Sequence, residues 1–282
     1  LTGFIFLLNN KKSDFTIIIS KKIRRINMAY NNITVSTKDF VTTVTLNRPP
    51  MNSVNIGIRE ELDQLVTEIE KSKDTRVVII TGSGEKAFCA GMDVSDIANI
   101  DKGPNGNDVY NRIERSTKPF IAAINGHALG GGCELAMACH FRYMTDNPKA
   151  QIGCPELNLG IIPGWGGVQR MPKIIGKSKA LDFIFFSKKV NGADALTLGL
   201  VDKVYPAADL IKEATDYAIA ISKRPPLAVS AVLQGMAIGL EKGLDAGLES
   251  DKKWIEKLKI SSDAVEGMTA FFEKREPNFK GE

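Results

Sequence analysis

The chain has 282 residues, 43% hydrophobic and 25% charged, the balance of an ordinary globular protein with one large domain, or one domain and an appendage, around a sizeable core. Its 37 basic and 33 acidic side chains leave a net charge of +4, which does not single out nucleic acid as a partner and suits an anionic substrate. Four cysteines (Cys89, Cys133, Cys139, Cys154) without CxxC pairing, and only two histidines (His127, His140), argue against a zinc site or a disulfide framework and for reduced, buried thiols in a cytoplasmic protein.

Residues 1–27 differ from the rest. The apolar FIFLL (4–8) precedes the basic KKIRR (21–25), the reverse of a secretory signal. We read this segment as an extension upstream of a functional start at Met28, outside the fold; an organelle-targeting segment or a basic arm is the alternative. No stretch reaches the roughly 18 uninterrupted apolar residues of a membrane span, so no membrane partner is expected. ITVSTKD (33–39) and VTTVTLN (41–47) alternate apolar and polar residues as an exposed strand pair does, and Arg48-Pro49-Pro50 stops them. Ile58, Leu62, Leu65, Val66 and Ile69 follow at helical spacing. RVVIIT (76–81) and PFIAAIN (119–125) are continuous apolar runs, the mark of strands covered on both faces. This alternation predicts an α/β fold. After Tyr205 only helices are expected, near 207–222, 226–240, 244–259 and 261–275, too thin to form a core alone and therefore packed on the main domain or on another subunit.

Two glycine-rich places could hold the chemistry. GSGEKA (82–87) follows the RVVIIT strand and fits a loose dinucleotide-binding turn. Such a turn should open a helix, whereas this one runs into Phe88-Cys89-Ala90-Gly91. NGHALGGGCELAMACHF (125–141) is more specific. A buried strand ends at Asn125, Gly130, Gly131 and Gly132 follow, and CELAMACHF reads as a helix. Glycines there admit a ligand to the backbone and leave unpaired N–H groups aimed at developing negative charge. Glu134, in the first helical turn, either complements the dipole or works in a dry site between apolar neighbours. Glu156 stands alone in the uncharged run 150–168; it is either a solvated loop residue or a catalytic one carried on a loop.

Taken together, LNRPP, KAFCAGMDVSDI, AAINGHALGGGCELAMACHF, IGCPELNLGIIPGWGGVQR, NGADALTLGLVDKVYP and EGMTAFFEKREPNF resemble the enoyl-CoA hydratase/isomerase (crotonase) family, in order, from about Ile33 to Phe279. The resemblance implies a crotonase-type superhelix of repeated ββα units, divided as a catalytic core over 28–222 and a C-terminal helical trimerisation region over 223–282, with trimers pairing into hexamers. It implies an oxyanion hole from the backbone N–H groups of Met92 and Gly131, coenzyme A or substrate contacts at Ala90, Asp93 and Gly130, and the two glutamates of a true hydratase, Glu134 and Glu156. The implied partner is an acyl-CoA thioester, with coenzyme A entering as part of the substrate, no separate cofactor and no metal. Two departures stand out: Pro50-Met51 replace a commonly basic position in a segment one residue shorter, and Met92 is bulkier than the frequent alanine. The expected reaction is hydration of the α,β double bond, with Glu134 as base and Glu156 as its protonated partner. The alternatives are double-bond isomerisation or hydration of a cyclic dienoyl-CoA on the same scaffold and, from another class, RNA binding through the basic arm.

Overall fold

The computed structural model describes residues 30–99 and 101–282; the extension expected at residues 1–27 and the start at Met28 lie outside the described residues. Strands β1 (Ile33–Lys38) and β2 (Val41–Leu46) form an antiparallel hairpin and lead into helix α1 (Ile56–Lys71). Asn55 caps α1 by accepting the Ile58 N–H, the bond that an Asn at this position supplies to an orphan helix donor. The chain then repeats one plan. A long strand is followed by a short strand that joins a different sheet, and then by a helix. The first repeat is β3 (Val77–Gly82), β4 (Ala87–Cys89) and α2 (Gly106–Glu114). The second is β5 (Phe120–Ile124), β6 (His127–Leu129) and α3 (Gly131–Ala138). The third is β7 (Phe141–Thr145), β8 (Ile152–Gly153) and the helix pair α4 (Gly167–Ile175) and α5 (Lys177–Phe185). Strand β9 (Lys189–Val190), α6 (Gly192–Leu198), β10 (Lys203–Tyr205) and α7 (Leu210–Ser222) close this part.

The long strands make a six-stranded sheet in the order β1-β2-β3-β5-β7-β10, parallel except for the first pair; the short ones make a second sheet, β4-β6-β8-β9. Each ββα repeat therefore adds one strand to each sheet, which is the superhelix expected from the family resemblance.

The apolar runs explain why the large sheet is covered on both sides. Side chains alternate across a strand, so Val78, Ile80, Phe120, Ala122 and Ile124 join the core beneath α1, α2 and α3, while Val77, Ile79, Ile121 and Ala123 meet Leu210, Ala214 and Ala218 of α7. Beyond α7 the chain ends in α8 (Pro226–Lys242), α9 (Leu244–Leu258) and α10 (Ser262–Glu273). Among the described residues no helix is long and apolar enough to cross a membrane.

One local reading holds and one changes. GSGEKA is a turn between β3 and β4, and lacks the helix N-terminus on which a dinucleotide-binding turn rests its pyrophosphate. Gly82 is small because a Cβ there would lie 2.6 Å from the Phe88 carbonyl oxygen. The helix expected through CELAMACHF stops at Ala138, and Phe141 already belongs to β7. His140 causes the break. Its backbone N–H donates to the Phe120 carbonyl, and its Nδ1 accepts the Phe120 N–H, both at 2.9 Å, returning the chain to the sheet. Burial lowers the His140 pKa to about 4, so it is a neutral structural acceptor.

Candidate active site

A cavity of about 240 Å³ opens where the second repeat meets the loop after β8, lined among others by Ala90, Met92, Gly130, Gly131, Glu134, Glu156 and Trp165. Six of these seven residues are ones the sequence singled out, and the fold gathers them around one cavity. The seventh, Trp165, was not anticipated.

The oxyanion geometry follows from how two backbone segments spend their hydrogen bonds. Val54 and Met92 form an isolated parallel bridge in which the Val54 N–H donates to the Gly91 carbonyl and the Asp93 N–H to the Val54 carbonyl. The bridge passes over the Met92 N–H, which faces the other way. On the second segment Gly130 N–H donates to the Gly153 carbonyl and Glu134 N–H to the Gly130 carbonyl. Gly131 is the first residue of α3, so its N–H has no intrahelical acceptor. A Cβ built on Gly131 would lie 3.5 Å from the Met92 nitrogen; the two donors are neighbours at one end of the cavity.

The three consecutive glycines have separate causes. Gly130 sits at φ 54°, ψ −125°, a conformation that residues with a Cβ avoid. A Cβ on Gly131 would come 2.7 Å from the Trp165 indole, and one on Gly132 would overlap the Cys89 carbonyl. The first glycine shapes the turn, and the other two let α3 press against the loop and against β4.

Glu134 is 2% exposed. Its Oε1 accepts the N–H groups of Trp165 and Gly167, both at 2.7 Å. Burial pushes its pKa up, as does the charge of Glu156, while the two donors and Arg170 act in the opposite direction; the result is about 7. Glu156 opens a 3-10 turn (Glu156–Leu159) rather than standing in irregular loop. A Cβ on Gly130 would lie 3.0 Å from its Oε1. Its Oε2 is buried without a hydrogen-bond partner, and burial raises its pKa as well. The fold thus brings together, at one cavity, two carboxylates that are 22 residues apart in the chain.

Ala90 lines the same cavity, with its N–H donated to the Met51 carbonyl. Asp93 is placed differently. Its carboxylate pairs with Arg48 at 2.9 Å and accepts from the Ser95 hydroxyl at 2.6 Å, which lowers its pKa. It stands beside the cavity rather than in its lining.

Arg170 is a second residue the sequence reading did not single out. It is 4% exposed. Its guanidinium bonds the Trp165 carbonyl (2.7 Å), Asn111 (2.6 Å) and Glu114 (2.9 Å). It therefore ties the loop that carries the Glu134 donors to α2. Both Trp165 and Arg170 lie in the GIIPGWGGVQR stretch, and an arginine one turn into a helix behind a glycine pair is the available signal.

Among the described residues, no group of three His, Cys, Asp or Glu side chains could hold a metal ion. All four cysteines are buried free thiols.

Comparison with known proteins agrees with this geometry. A family model described as enoyl-CoA hydratase/isomerase matches residues 36–282. The chain is 38% identical over 255 residues to the short-chain-enoyl-CoA hydratase of Clostridium acetobutylicum, covering 88% of this chain and 97% of that protein. It is 37% identical over 259 residues to the crotonyl-CoA hydratase of Syntrophomonas wolfei, covering 89% and 99%. Among solved structures, the enoyl-CoA hydratase of Bacillus anthracis superposes with a TM-score of 0.84 at 38% identity, over 89% of this chain and all (100%) of that one. With two carboxylates and two free amides gathered at one cavity and this likeness along nearly its whole described length, the chain belongs to the enoyl-CoA hydratase/isomerase family.

Proposed function

We propose that this protein is an enoyl-CoA hydratase, reversibly adding water to the α,β double bond of an acyl-CoA thioester. The observation that carries this reading is the convergence of a buried carboxylate, Glu134, and a half-buried one, Glu156, on a cavity whose other end presents the N–H groups of Met92 and Gly131. The thioester oxygen sits on those two donors, which stabilise the enolate-like charge; losing one such donor typically costs about 3 kcal/mol of barrier. A water held between the carboxylates attacks Cβ. Glu134 accepts its proton through Oε2, because Oε1 is already held by two backbone N–H groups. Glu156, whose unpartnered buried Oε2 disfavours the anion, delivers a proton to Cα. The deep burial of Glu134 works against its ionisation and brings its titration near neutrality, where a general base is most effective.

Coenzyme A enters as part of the substrate, its adenine end at the Ala90 carbonyl, with Gly130 and Asp93 bordering the pantetheine path. The reaction calls for no separate cofactor. Fatty acid β-oxidation suits such an activity, and the buried free thiols suit the cytoplasm. The protein assembles as trimers, paired into hexamers, through the C-terminal helices; their large exposed apolar residues support this.

The test follows loss of the enoyl-thioester absorbance of crotonyl-CoA. Wild type is expected to be active, and Glu134→Gln and Glu156→Gln each to lose about a hundredfold or more. An inert wild type sinks the short-chain hydratase reading, and full rate in either variant overturns the two-carboxylate mechanism.

A further inference from the structure

The cavity is strongly asymmetric. At its mouth Val94, Leu159 and Ile162 are 66%, 70% and 65% exposed, whereas Trp165 at its inner end is 8% exposed. Coenzyme A is large and anionic and has to stay on the solvent side, so the acyl group of a bound thioester points inward. With the carbonyl on Met92 and Gly131 and the double bond between Glu134 and Glu156, the carbons beyond Cβ run towards the Trp165 indole.

That indole is wedged between two helix starts. A Cβ on Gly131, at the start of α3, would come 2.7 Å from its six-membered ring, and one on Gly106, at the start of α2, would come 2.5 Å from it. Behind it Tyr110 meets the ring edge-on at 5.6 Å between centroids. The backbone of Trp165 is held at both ends, by its N–H to Glu134 and by its carbonyl to Arg170. The ring itself is held by its packing against Gly106, Gly131 and Tyr110, on a backbone anchored separately.

We propose that Trp165 sets the acyl-chain length of this enzyme: its indole is the fixed floor of the acyl pocket and restricts the substrate to short 2-enoyl thioesters. This deepens the hydratase reading and rests on it. Shortening the side chain removes the floor while the backbone N–H to Glu134 remains, so the readout is the ratio of rates between chain lengths rather than the rate on any one of them.

The experiment measures kcat/KM of wild type, Trp165→Ala and Trp165→Phe on trans-2-enoyl thioesters of four, six, eight and ten carbons. Wild type is expected to decline steeply with length. In Trp165→Ala the ratio of four-carbon to eight-carbon kcat/KM falls at least tenfold, the scale on which one or two methylenes are discriminated by a hydrophobic pocket, and Trp165→Phe lies between. The phenylalanine variant preserves most of the packing on Tyr110, so it keeps the comparison available if the alanine variant does not fold. Competition by saturated butyryl-CoA and octanoyl-CoA supplies a binding readout that should shift in the same direction. An unchanged length ratio in folded, active variants overturns the role of Trp165 and leaves the hydratase reading standing. A wild type inert on every length, by contrast, removes the hydratase reading and this inference together.

Discussion

The ββα core and the three C-terminal helices are built from similar proportions of apolar residues but dispose of them in opposite ways. In the core, β3 and β5 bury every residue, and the cluster under α1, α2 and α3 is continuous from Ile33 to Val201. In α8, α9 and α10 the only buried residues are Ala231, Gly235, Gly247, Asp263 and Ala270. Leu240, Leu244, Ile260, Phe271 and Phe272 are each at least 74% exposed. Helices α8 and α9 cross through glycines, with a Cβ on Gly247 falling 3.0 Å from the Gly239 Cα. The pair packs through its smallest residues and turns its largest outward. Polar bonds tether it to the core: Arg115 pairs with Glu241, Ser230 donates to the Thr117 carbonyl, and Arg76 donates to the Phe279 carbonyl. The core is stabilised by its own burial, whereas the tail leaves its large apolar side chains exposed, the surface on which the proposed assembly rests.

Changes in the core should therefore act on chemistry and intrinsic stability, and changes in the tail on assembly. The largest effect belongs to Glu134. Beyond the expected loss of activity, Glu134→Gln should raise stability in alkaline buffer. The folded chain binds the Glu134 proton more tightly than the unfolded one, since burial lifts the pKa from 4.5 to about 7. This term favours folding most at low pH, and the advantage fades as pH rises from about 4.5 to about 7. Glutamine has no charge to desolvate and keeps an oxygen for the two N–H donors. A denaturation series at pH 8 should show the variant more stable by up to about 3 kcal/mol, and no difference there would place the strain elsewhere. The same pKa, with Glu134 as the base, puts the acid limb of kcat/KM near pH 7, activity falling as pH drops below it.

Next comes Arg170. Removing it leaves the Trp165 carbonyl and Asn111 without their donor, while the partly exposed Glu114 can turn to solvent; losing charge-assisted hydrogen bonds of this kind costs about 1.5–3 kcal/mol. Arg170→Ala should unfold much earlier in denaturant. In Arg170→Lys, which keeps charge but not the three-way fork, kcat should fall with KM nearly unchanged. A lysine variant with wild-type kcat would show that the loop needs no clamp.

In the tail, Phe271→Asp combined with Phe272→Asp should leave the far-ultraviolet spectrum of the core intact but shift the mass measured by light scattering from trimer or hexamer to monomer. Retention of the large species would move the interface away from α10. The smallest effects separate the two regions most finely. Asn191 accepts the Asp194 N–H at the start of α6, and Ser261 accepts the Ala264 N–H at the start of α10. Each cap is worth about 1 kcal/mol. Asn191→Ala should lower the melting temperature at any protein concentration. Ser261→Ala should instead raise the concentration at which the assembly dissociates. Equal responses from both caps would mean that core and tail unfold as one unit.

Much of this architecture could be read from the residues alone. Continuous β-branched runs at 76–81 and 119–125, helical spacing from Ile58 to Ile69 and the proline stops are local properties, and β3, β5 and α1 appear where those patterns place them. Glu134 and Glu156 were visible as unusual acids in apolar surroundings, but their pairing came only from the family resemblance. Trp165 and Arg170 escaped because their partners, Gly106, Gly131, Asn111 and Glu114, lie 34 to 59 residues away. The end of α3 was misjudged for the same reason: Ala138 to Phe141 has helix-compatible composition, and only the hydrogen bonds to Phe120 across β5 decide that the chain turns back.

The sequence by itself therefore determined the α/β class, the apolar faces, the glycines that admit close contact and the family. The tertiary structure alone decided which side chains share a cavity, how far the Glu134 carboxyl is pushed towards neutrality and which aromatic ring closes the pocket. The physical reason is range. Propensity and periodicity act over a few residues, whereas desolvation, charge pairing and pocket shape depend on whatever the winding of the repeats brings within a few ångströms.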